Sequence, residues 1–109
     1  MNRRSPQQRY VHEPFIALLE SLVNVNSGTM NFSGVEKIAH MIRPEFEKLG
    51  FSTKWISMAD ANRAGHFVAE RKGTQGKRLL LIAHLDTVFE PSSPFQKFER
   101  KGSSATGPG

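Results

Sequence analysis

A histidine and an aspartate, His84 and Asp86, directly follow the most apolar stretch of this chain, residues 79–83 (LLLIA). Successive side chains of a β-strand point to opposite faces, so residues two apart share a face if the strand continues through Leu85. A neutral imidazole can bind Zn²⁺ through one ring nitrogen while the other donates to a carboxylate, which fixes the tautomer. The spacing therefore indicates a metal ligand, His84, that is oriented by Asp86.

Both residues also have purely structural interpretations. A histidine at a strand end is often held by hydrogen bonds within the fold, and an acidic side chain just past a strand often accepts hydrogen bonds from loop amides. The other histidines, His12, His40 and His66, have no partner at metal-ligand spacing and are assigned to the surface or to packing. Because the chain has no cysteine, a metal site here must use histidine and carboxylate ligands.

Length and composition indicate one soluble globular unit. The chain has 109 residues, of which 38% are hydrophobic and 23% charged, enough for one domain with a modest core. Its net charge is +5, but the basic residues are scattered, so a solvated surface explains them better than a nucleic-acid partner. No apolar stretch is long enough for a membrane span or a signal peptide, so the sequence predicts a cytoplasmic protein with no membrane partner.

Two amphipathic helices are predicted to precede the apolar run. Apolar residues recur at helical spacing over residues 14–25, with Pro14 suited to the first turn. A second helix is predicted from the capping-box pair of Ser33 and Glu36 to Gly50, which is placed to end it. An internal proline, Pro44, removes a backbone donor, so we expect a kink there. The predicted buried face of this helix consists of Val35, Ile38, Ala39, Ile42, Phe46 and Leu49.

Strands are predicted to follow these helices. Their ranges are 51–57, 66–71 and 78–84, with a further short strand at 95–100. A glycine-containing turn at residues 73–76 is short enough to make the second and third strands antiparallel. Residues 79–83 lack polar alternation, which is expected of a central strand covered on both faces.

The order of these features resembles the opening of the two-zinc metallopeptidase and aminoacylase family, which includes glutamate carboxypeptidase, acetylornithine deacetylase and succinyl-diaminopimelate desuccinylase. The likeness extends over residues 13–109 and depends most on the segment LLLIAHLDTVF and on Gly-Pro-Gly at residues 107–109. The Gly-Pro-Gly form most resembles the glutamate carboxypeptidase branch.

The resemblance implies an α/β fold, the N-terminal part of a zinc-exopeptidase-like catalytic domain. Two helices would be followed by a mixed sheet with helices on both faces, incomplete as given. The chain would comprise a polar N-terminal segment, residues 1–12, and part of the catalytic domain, residues 13–109, truncated before an aspartate that bridges both metals three residues after Gly-Pro-Gly.

For function, the resemblance implies a hydrolase that cleaves an amide bond in a small peptide or an N-acyl amino acid. His84 would ligate one of two zinc ions, with Co²⁺ or Mn²⁺ as alternative metals, and Asp86 would be the catalytic-site residue that holds His84. The general base and the other ligands would lie downstream, so the fragment itself would be inactive. The complete enzyme could form a homodimer. The competing interpretation is a non-catalytic α/β binding or interaction module.

Overall fold

A computed structural model describes the backbone of residues 6–109 and the side chains from Glu13 onward, so the side chain of His12 lies outside it. The elements are α1 (Pro6–Val23), α2 (Phe32–Lys48), β1 (Ser52–Ser57), a 3₁₀ turn (Ala59–Ala61), β2 (Gly65–Glu70), β3 (Glu99–Lys101) and β4 (Ser104–Thr106). Strand β1 pairs with β2 and β3 with β4, each antiparallel, in two separate sheets. Two helices and small antiparallel sheets make this a partial α/β domain. Neither helix of the described chain could span a membrane.

The first helix begins earlier than its apolar pattern predicts. It starts at Pro6, so Pro14 lies in its interior and not in its first turn. The added turns are polar and carry no periodic signal, which is why the pattern missed them. The helix ends at Val23, which is buried, whereas Phe15 and Leu19 on the same helix remain exposed. The apolar face of α1 is therefore only partly covered.

The N-terminal cap of α2 is Asn31, and the predicted cap at Ser33 is wrong. The Asn31 side-chain oxygen accepts a hydrogen bond from Gly34 N at 3.3 Å. Asparagine is as favourable as serine at this position, and it satisfies one of the backbone donors that a helix start leaves unpaired. The helix continues through Pro44, which supplies no amide donor, and the kink there stays a prediction.

The C-terminus of α2 is closed by Gly50, as predicted. Gly50 has a φ of 85° and donates to Glu47 O at 3.0 Å, while Phe51 N donates to Phe46 O at 3.1 Å. This pair of bonds is a Schellman motif, which needs a residue that tolerates positive φ. The rings of Phe46 and Phe51 meet edge to face at 5.6 Å, and Phe46 also lies 5.5 Å from Phe67 of β2. One aromatic cluster thus holds α2 on the β1–β2 hairpin.

The core of the described chain is small and lies along the first half of α2. Its buried apolar residues are Val23, Val35, Ile38 and Ala39. Leu49, predicted to lie on the buried face of α2, is exposed at the end of that helix. Strands β1 and β2 follow their predicted ranges closely.

The C-terminal hairpin was predicted only in part. Strand β3 overlaps the short strand expected at residues 95–100, but β4 consists of small and polar residues without a strand pattern. Gly102, with a φ of 58°, opens the two-residue turn between them, as this type of hairpin requires. Both terminal nitrogens of Arg100 bind the Glu13 carboxylate at 2.9 Å, which ties the hairpin to α1.

Residues 79–83 form no strand, so the predicted central strand is wrong for the described chain. The exposed fractions of Leu79, Leu80, Leu81 and Ile82 lie between 82% and 93%. No backbone-to-backbone hydrogen bond involves residues 72–84 within the part of the chain that the structure describes. A central strand needs a neighbour on each edge and cover on both faces. The expected single mixed sheet is accordingly replaced, over residues 6–109, by two hairpins.

Candidate metal-ligand site

The structure brings the two predicted site residues, His84 and Asp86, into contact. His84 Nδ1 lies 2.9 Å from Asp86 Oδ1. The chain bends at Leu85, so a local turn and not strand alternation places the two side chains together. The side chain of His84 is 91% exposed, whereas that of Asp86 is 30% exposed. The pair therefore presents the far edge of the imidazole, which carries Nε2, to the solvent.

A third residue, Thr29, holds Asp86 from the opposite side. Thr29 Oγ1 donates a 2.6 Å hydrogen bond to Asp86 Oδ2, across 57 positions of sequence. Each carboxylate oxygen therefore has its own partner. Sequence reasoning missed Thr29 because a threonine in a Ser-Gly-Thr loop carries no local signal for so distant a contact.

These contacts stabilise the charged form of Asp86. The Thr29 hydroxyl and, after it, the His84 ring lower the pKa of the Asp86 carboxyl below its ordinary value, against a smaller opposing effect of burial. A carboxylate accepts hydrogen bonds only, so the imidazole nitrogen that faces it must carry the proton. With Nδ1 protonated, a neutral His84 keeps the lone pair on Nε2, the nitrogen that a metal can bind.

The loop of residues 26–31 runs alongside the segment of residues 86–90 and fixes Thr29 there. Thr87 N donates to Ser27 O at 2.8 Å, and Thr29 N donates to Thr87 O at 3.1 Å. These bonds form an isolated parallel bridge outside the named strands. Ser27 is buried at this contact. The backbone bonds of Thr87 therefore also fix the position of the residue before it, Asp86.

Gly28 allows the two segments to approach this closely. A Cβ atom at Gly28 would lie 2.8 Å from Glu90 Cα, which is closer than real Cβ contacts. The Glu90 carboxylate in turn accepts a 3.1 Å hydrogen bond from Met30 N. A side chain at residue 28 would therefore push apart the segments that carry Thr29 and Asp86.

Asn26 joins the same loop to more distant parts of the chain. Its side-chain nitrogen donates to Phe89 O at 2.8 Å and to Gln96 Oε1 at 2.9 Å. Its side-chain oxygen accepts from Gly28 N at 3.1 Å and from Asn31 Nδ2 at 2.9 Å. One asparagine thus links the cap of α2 to the segment that follows Asp86.

The Gly-Pro-Gly segment, residues 107–109, is packed beside this site. Pro108 is buried, and a Cβ atom at Gly107 would lie 2.6 Å from Val23 Cγ1. A Cβ atom at Gly109 would lie 3.0 Å from the Cβ atom of Thr87. Residue 109 therefore lies next to the residue that follows Asp86.

The donors at the site fit one ligand position of a zinc ion. Zinc sites in proteins use three or four protein ligands. Among the side chains that the structure describes, from Glu13 to Gly109, no group of three or more histidine, aspartate or glutamate residues could hold a metal. His84 offers Nε2, but both Asp86 oxygens already have partners. These residues suit a ligand and its orienting carboxylate, and a complete centre needs donors beyond them.

In comparisons with known proteins, the sequence of this chain is similar to that of a carboxypeptidase. The chain is 34% identical over 98 residues to Carboxypeptidase G2 of Pseudomonas sp. (strain RS-16), a match that covers 86% of this chain and 23% of that protein. The chain therefore spans less than a quarter of the length of this curated relative. No family model and no solved structure matches significantly. The similarity supports a distant relation to the family of this carboxypeptidase and does not single out a branch.

Proposed function

We propose that this chain is the N-terminal part of a zinc-dependent hydrolase that cleaves an amide bond in a peptide or an N-acyl amino acid. In this proposal His84 is a metal ligand and Asp86 is the residue that orients it. The observation that carries the proposal is the 2.9 Å contact between His84 Nδ1 and Asp86 Oδ1 on an exposed imidazole. The similarity to Carboxypeptidase G2 supports the reaction class, hydrolysis of an amide bond.

The described residues would act by preparing the imidazole. Asp86 accepts a hydrogen bond from the Nδ1–H group, which fixes the tautomer that leaves Nε2 free to bind a metal. The Thr29 hydroxyl lowers the pKa of the Asp86 carboxyl and holds its second oxygen in place. When bound, zinc would polarise the scissile carbonyl and lower the pKa of a bound water. Asp86 and Thr29 would therefore orient one ligand, His84, for that chemistry.

The remaining ligands must come from residues outside the described set. The family resemblance expects a metal-bridging aspartate three residues after Gly-Pro-Gly. The position of Gly109 beside Thr87 supports this expectation, because a chain that continues from Gly109 begins next to the His84–Asp86 pair. Proximity to an existing ligand is what a bridging carboxylate requires.

A second candidate, a non-catalytic α/β interaction module, is favoured by one observation. No three-ligand group occurs among the described side chains, so the residues from Glu13 to Gly109 do not form a complete metal centre by themselves. The two candidates differ in what lies after Gly109. The hydrolase needs an aspartate and a general base there, and the module needs neither.

The deciding experiment uses a protein extended past Gly109 through the downstream coding sequence. The wild type, His84→Ala and a control variant, His66→Ala, are purified. His66 suits the control because it is an exposed histidine on a different element, β2. Bound metal is measured by mass spectrometry, and amino-acid release from N-acyl substrates is measured with Zn²⁺, Co²⁺ and Mn²⁺. We expect the wild type and His66→Ala to bind metal and hydrolyse, and His84→Ala to lose metal and most turnover.

Two results would contradict the proposal. If His84→Ala retained the metal content and turnover of the wild type, His84 would not be a ligand. If the extended wild type bound no metal and released no amino acid, the interaction module would be favoured.

A further inference from the structure

We propose that Asn26 and Glu90 are positioning residues for the metal-ligand candidate, His84. Their side chains fix the register between two segments, the loop of residues 26–31 and the segment of residues 86–90. This role rests on the proposed function, in which His84 binds the metal. Both residues act on the imidazole through the two segments that they join.

The backbone contact between these segments is short. Among the described residues, its hydrogen bonds are those from Thr87 N to Ser27 O and from Thr29 N to Thr87 O, which belong to a single parallel bridge. Parallel pairing is slightly less stable per residue than antiparallel pairing, and even an isolated two-stranded hairpin is marginal in water. The bridge therefore needs further contacts to keep Thr29 beside Asp86.

Side chains from both segments reinforce this bridge reciprocally. Asn26, at the start of the loop, donates from Nδ2 to Phe89 O at 2.8 Å. Glu90, at the end of the other segment, accepts from Met30 N at 3.1 Å. Each segment thus provides a side chain that binds the backbone of the other. A shift of either segment by one residue, about 3.3 Å, would break both bonds.

The amide of Asn26 satisfies these partners in one orientation. Its oxygen accepts from Gly28 N at 3.1 Å, and its nitrogen donates to Phe89 O. A backbone N–H only donates and a carbonyl only accepts, so a flipped amide would set donor against donor and acceptor against acceptor. The second amide hydrogen binds Gln96 Oε1 at 2.9 Å, and the oxygen also accepts from Asn31 Nδ2. Every donor and acceptor of this part-buried amide is thus used.

The register that these side chains fix is the one that orients His84. It places Thr29 Oγ1 2.6 Å from Asp86 Oδ2, while Oδ1 contacts the imidazole. Once Thr29 moves away, the Asp86 carboxylate is free to rotate about its last side-chain bond, which has broad minima. With no fixed acceptor, a neutral imidazole populates both tautomers, and a proton on Nε2 blocks metal binding at that nitrogen.

Three variants of the protein extended past Gly109 test this role. Asn26→Asp keeps the size of the side chain and its acceptor oxygen but replaces the amide donor with a second oxygen. Glu90→Ala removes the acceptor carboxylate, and Glu90→Gln restores an acceptor oxygen without the charge. Two control variants, Asn62→Asp and Glu99→Ala, make the same changes at exposed residues outside both segments.

Histidine-selective ¹⁵N NMR of the metal-free protein measures the tautomer of His84 at about pH 8, where an imidazole is neutral. His84→Ala identifies the signals of this residue. We expect Nδ1 to carry the proton in the wild type, in Glu90→Gln and in both controls. In Asn26→Asp and Glu90→Ala we expect the proton to be shared between the two ring nitrogens.

Competition with a chelator measures the zinc affinity of the same proteins. We expect Asn26→Asp to weaken zinc binding about tenfold, the lower end of the range for residues that orient a ligand. Glu90→Ala should have a smaller effect, because it loses one hydrogen bond. Glu90→Gln and both controls should bind zinc as the wild type does.

Different results would overturn this role and the proposed function. If Asn26→Asp and Glu90→Ala lower the free energy of unfolding but keep the tautomer and zinc affinity of the wild type, the two residues are only structural. A Glu90→Gln variant that behaves as Glu90→Ala would also overturn the role. The Glu90 variants, which change an exposed contact, decide the question if Asn26→Asp fails to fold. If the extended wild type binds no zinc, the proposed function fails, and the tautomers still test the positioning role.

Discussion

The hydroxyl of Thr29 donates a 2.6 Å hydrogen bond to Oδ2 of Asp86, while Oδ1 of the same carboxylate contacts the ring of His84. The orientation of His84 therefore depends on a loop that precedes it by more than fifty residues. That loop is itself held by Asn26, which contacts Phe89 O and the side chain of Asn31. A change in the loop should thus be detectable at the imidazole.

Removing the Thr29 hydroxyl should raise the pKa of Asp86. Thr29→Val keeps the size and branching of the side chain but cannot donate to Oδ2, so the charged carboxylate loses its strongest partner. Thr29→Ser keeps the hydroxyl and should leave the pKa of Asp86 close to that of the wild type. An NMR titration that follows the carboxyl carbon of Asp86 measures this pKa in both variants. Equal values in Thr29→Val and the wild type would contradict this account.

The stability of the chain should fall in acid because of Asp86. Its pKa is lower in the folded chain than its ordinary value, so the folded chain binds the proton less readily than the unfolded chain. The contribution is present above about pH 3.9 and is lost as the pH falls through the folded pKa. Urea unfolding from pH 7 to pH 2 should show a smaller acid loss in Asp86→Asn than in the wild type. Asp60→Asn, at an exposed aspartate, should behave as the wild type does.

Within the protein extended past Gly109, His84→Ala should lose more metal affinity and more turnover than Asp86→Ala. His84→Ala removes the proposed ligand, so it should weaken one metal and abolish most turnover. Asp86→Ala leaves Nε2 in place but unoriented, and losses of this kind are about 10- to 100-fold in affinity or activity. Metal dissociation constants and kcat/KM of the two variants test whether His84→Ala has the larger effect. Negligible effects of both substitutions would exclude the assignment of these two residues.

The 109-residue chain alone should not hydrolyse N-acyl amino acids, even with excess zinc. His84 is one donor, and no three-ligand group occurs in the described part of the chain. Zinc-dependent release of amino acids is measured beside the extended protein as a positive control. Robust turnover by the short chain would show that its own residues complete a site.

Gly28→Ala should destabilise the chain, because its Cβ atom would meet Glu90 Cα at 2.8 Å. Inserting a methyl group into a close contact typically costs about 1–3 kcal/mol. Gly73→Ala is the matched control, since the nearest atom to its Cβ would be 3.8 Å away. Chemical denaturation of both variants measures the difference. A Gly28→Ala variant as stable as the control would mean that residues 26–31 and 86–90 do not pack as described.

Local signals in the sequence predicted local structure well. Gly50 ends α2 because a left-handed residue is needed there, and β1 and β2 follow their apolar patterns. The cap at Asn31 was missed because two adequate capping residues stand two positions apart, and the hydrogen bond from the Asn31 side chain to Asn26 favours Asn31. Residue type alone does not distinguish Asn31 from Ser33 as the cap.

Contacts between distant residues were less predictable. The spacing of His84 and Asp86 predicted that they form a pair. The role of Thr29 was not predicted, because only the fold brings it within hydrogen-bond distance of Asp86. The strand predicted at residues 78–84 is absent because a strand needs hydrogen-bonded neighbours, and the described residues provide none for this segment. The catalytic roles, the domain boundary at residue 13 and the cytoplasmic location stay predictions.

The aromatic cluster of Phe46, Phe51 and Phe67 joins elements that are consecutive in the chain, and this has a consequence for the order of folding. Short loops close at a smaller entropic cost than long ones, so α2 and its hairpin can form early. The bonds from Thr29 to Asp86 and from Phe98 N to Asn24 join residues 57 and 74 positions apart, so we expect them to form later. Contacts made last tend to open first, so backbone amides around Asp86 should exchange with deuterium faster than those of α2. The imidazole would then be oriented only in the fully folded chain.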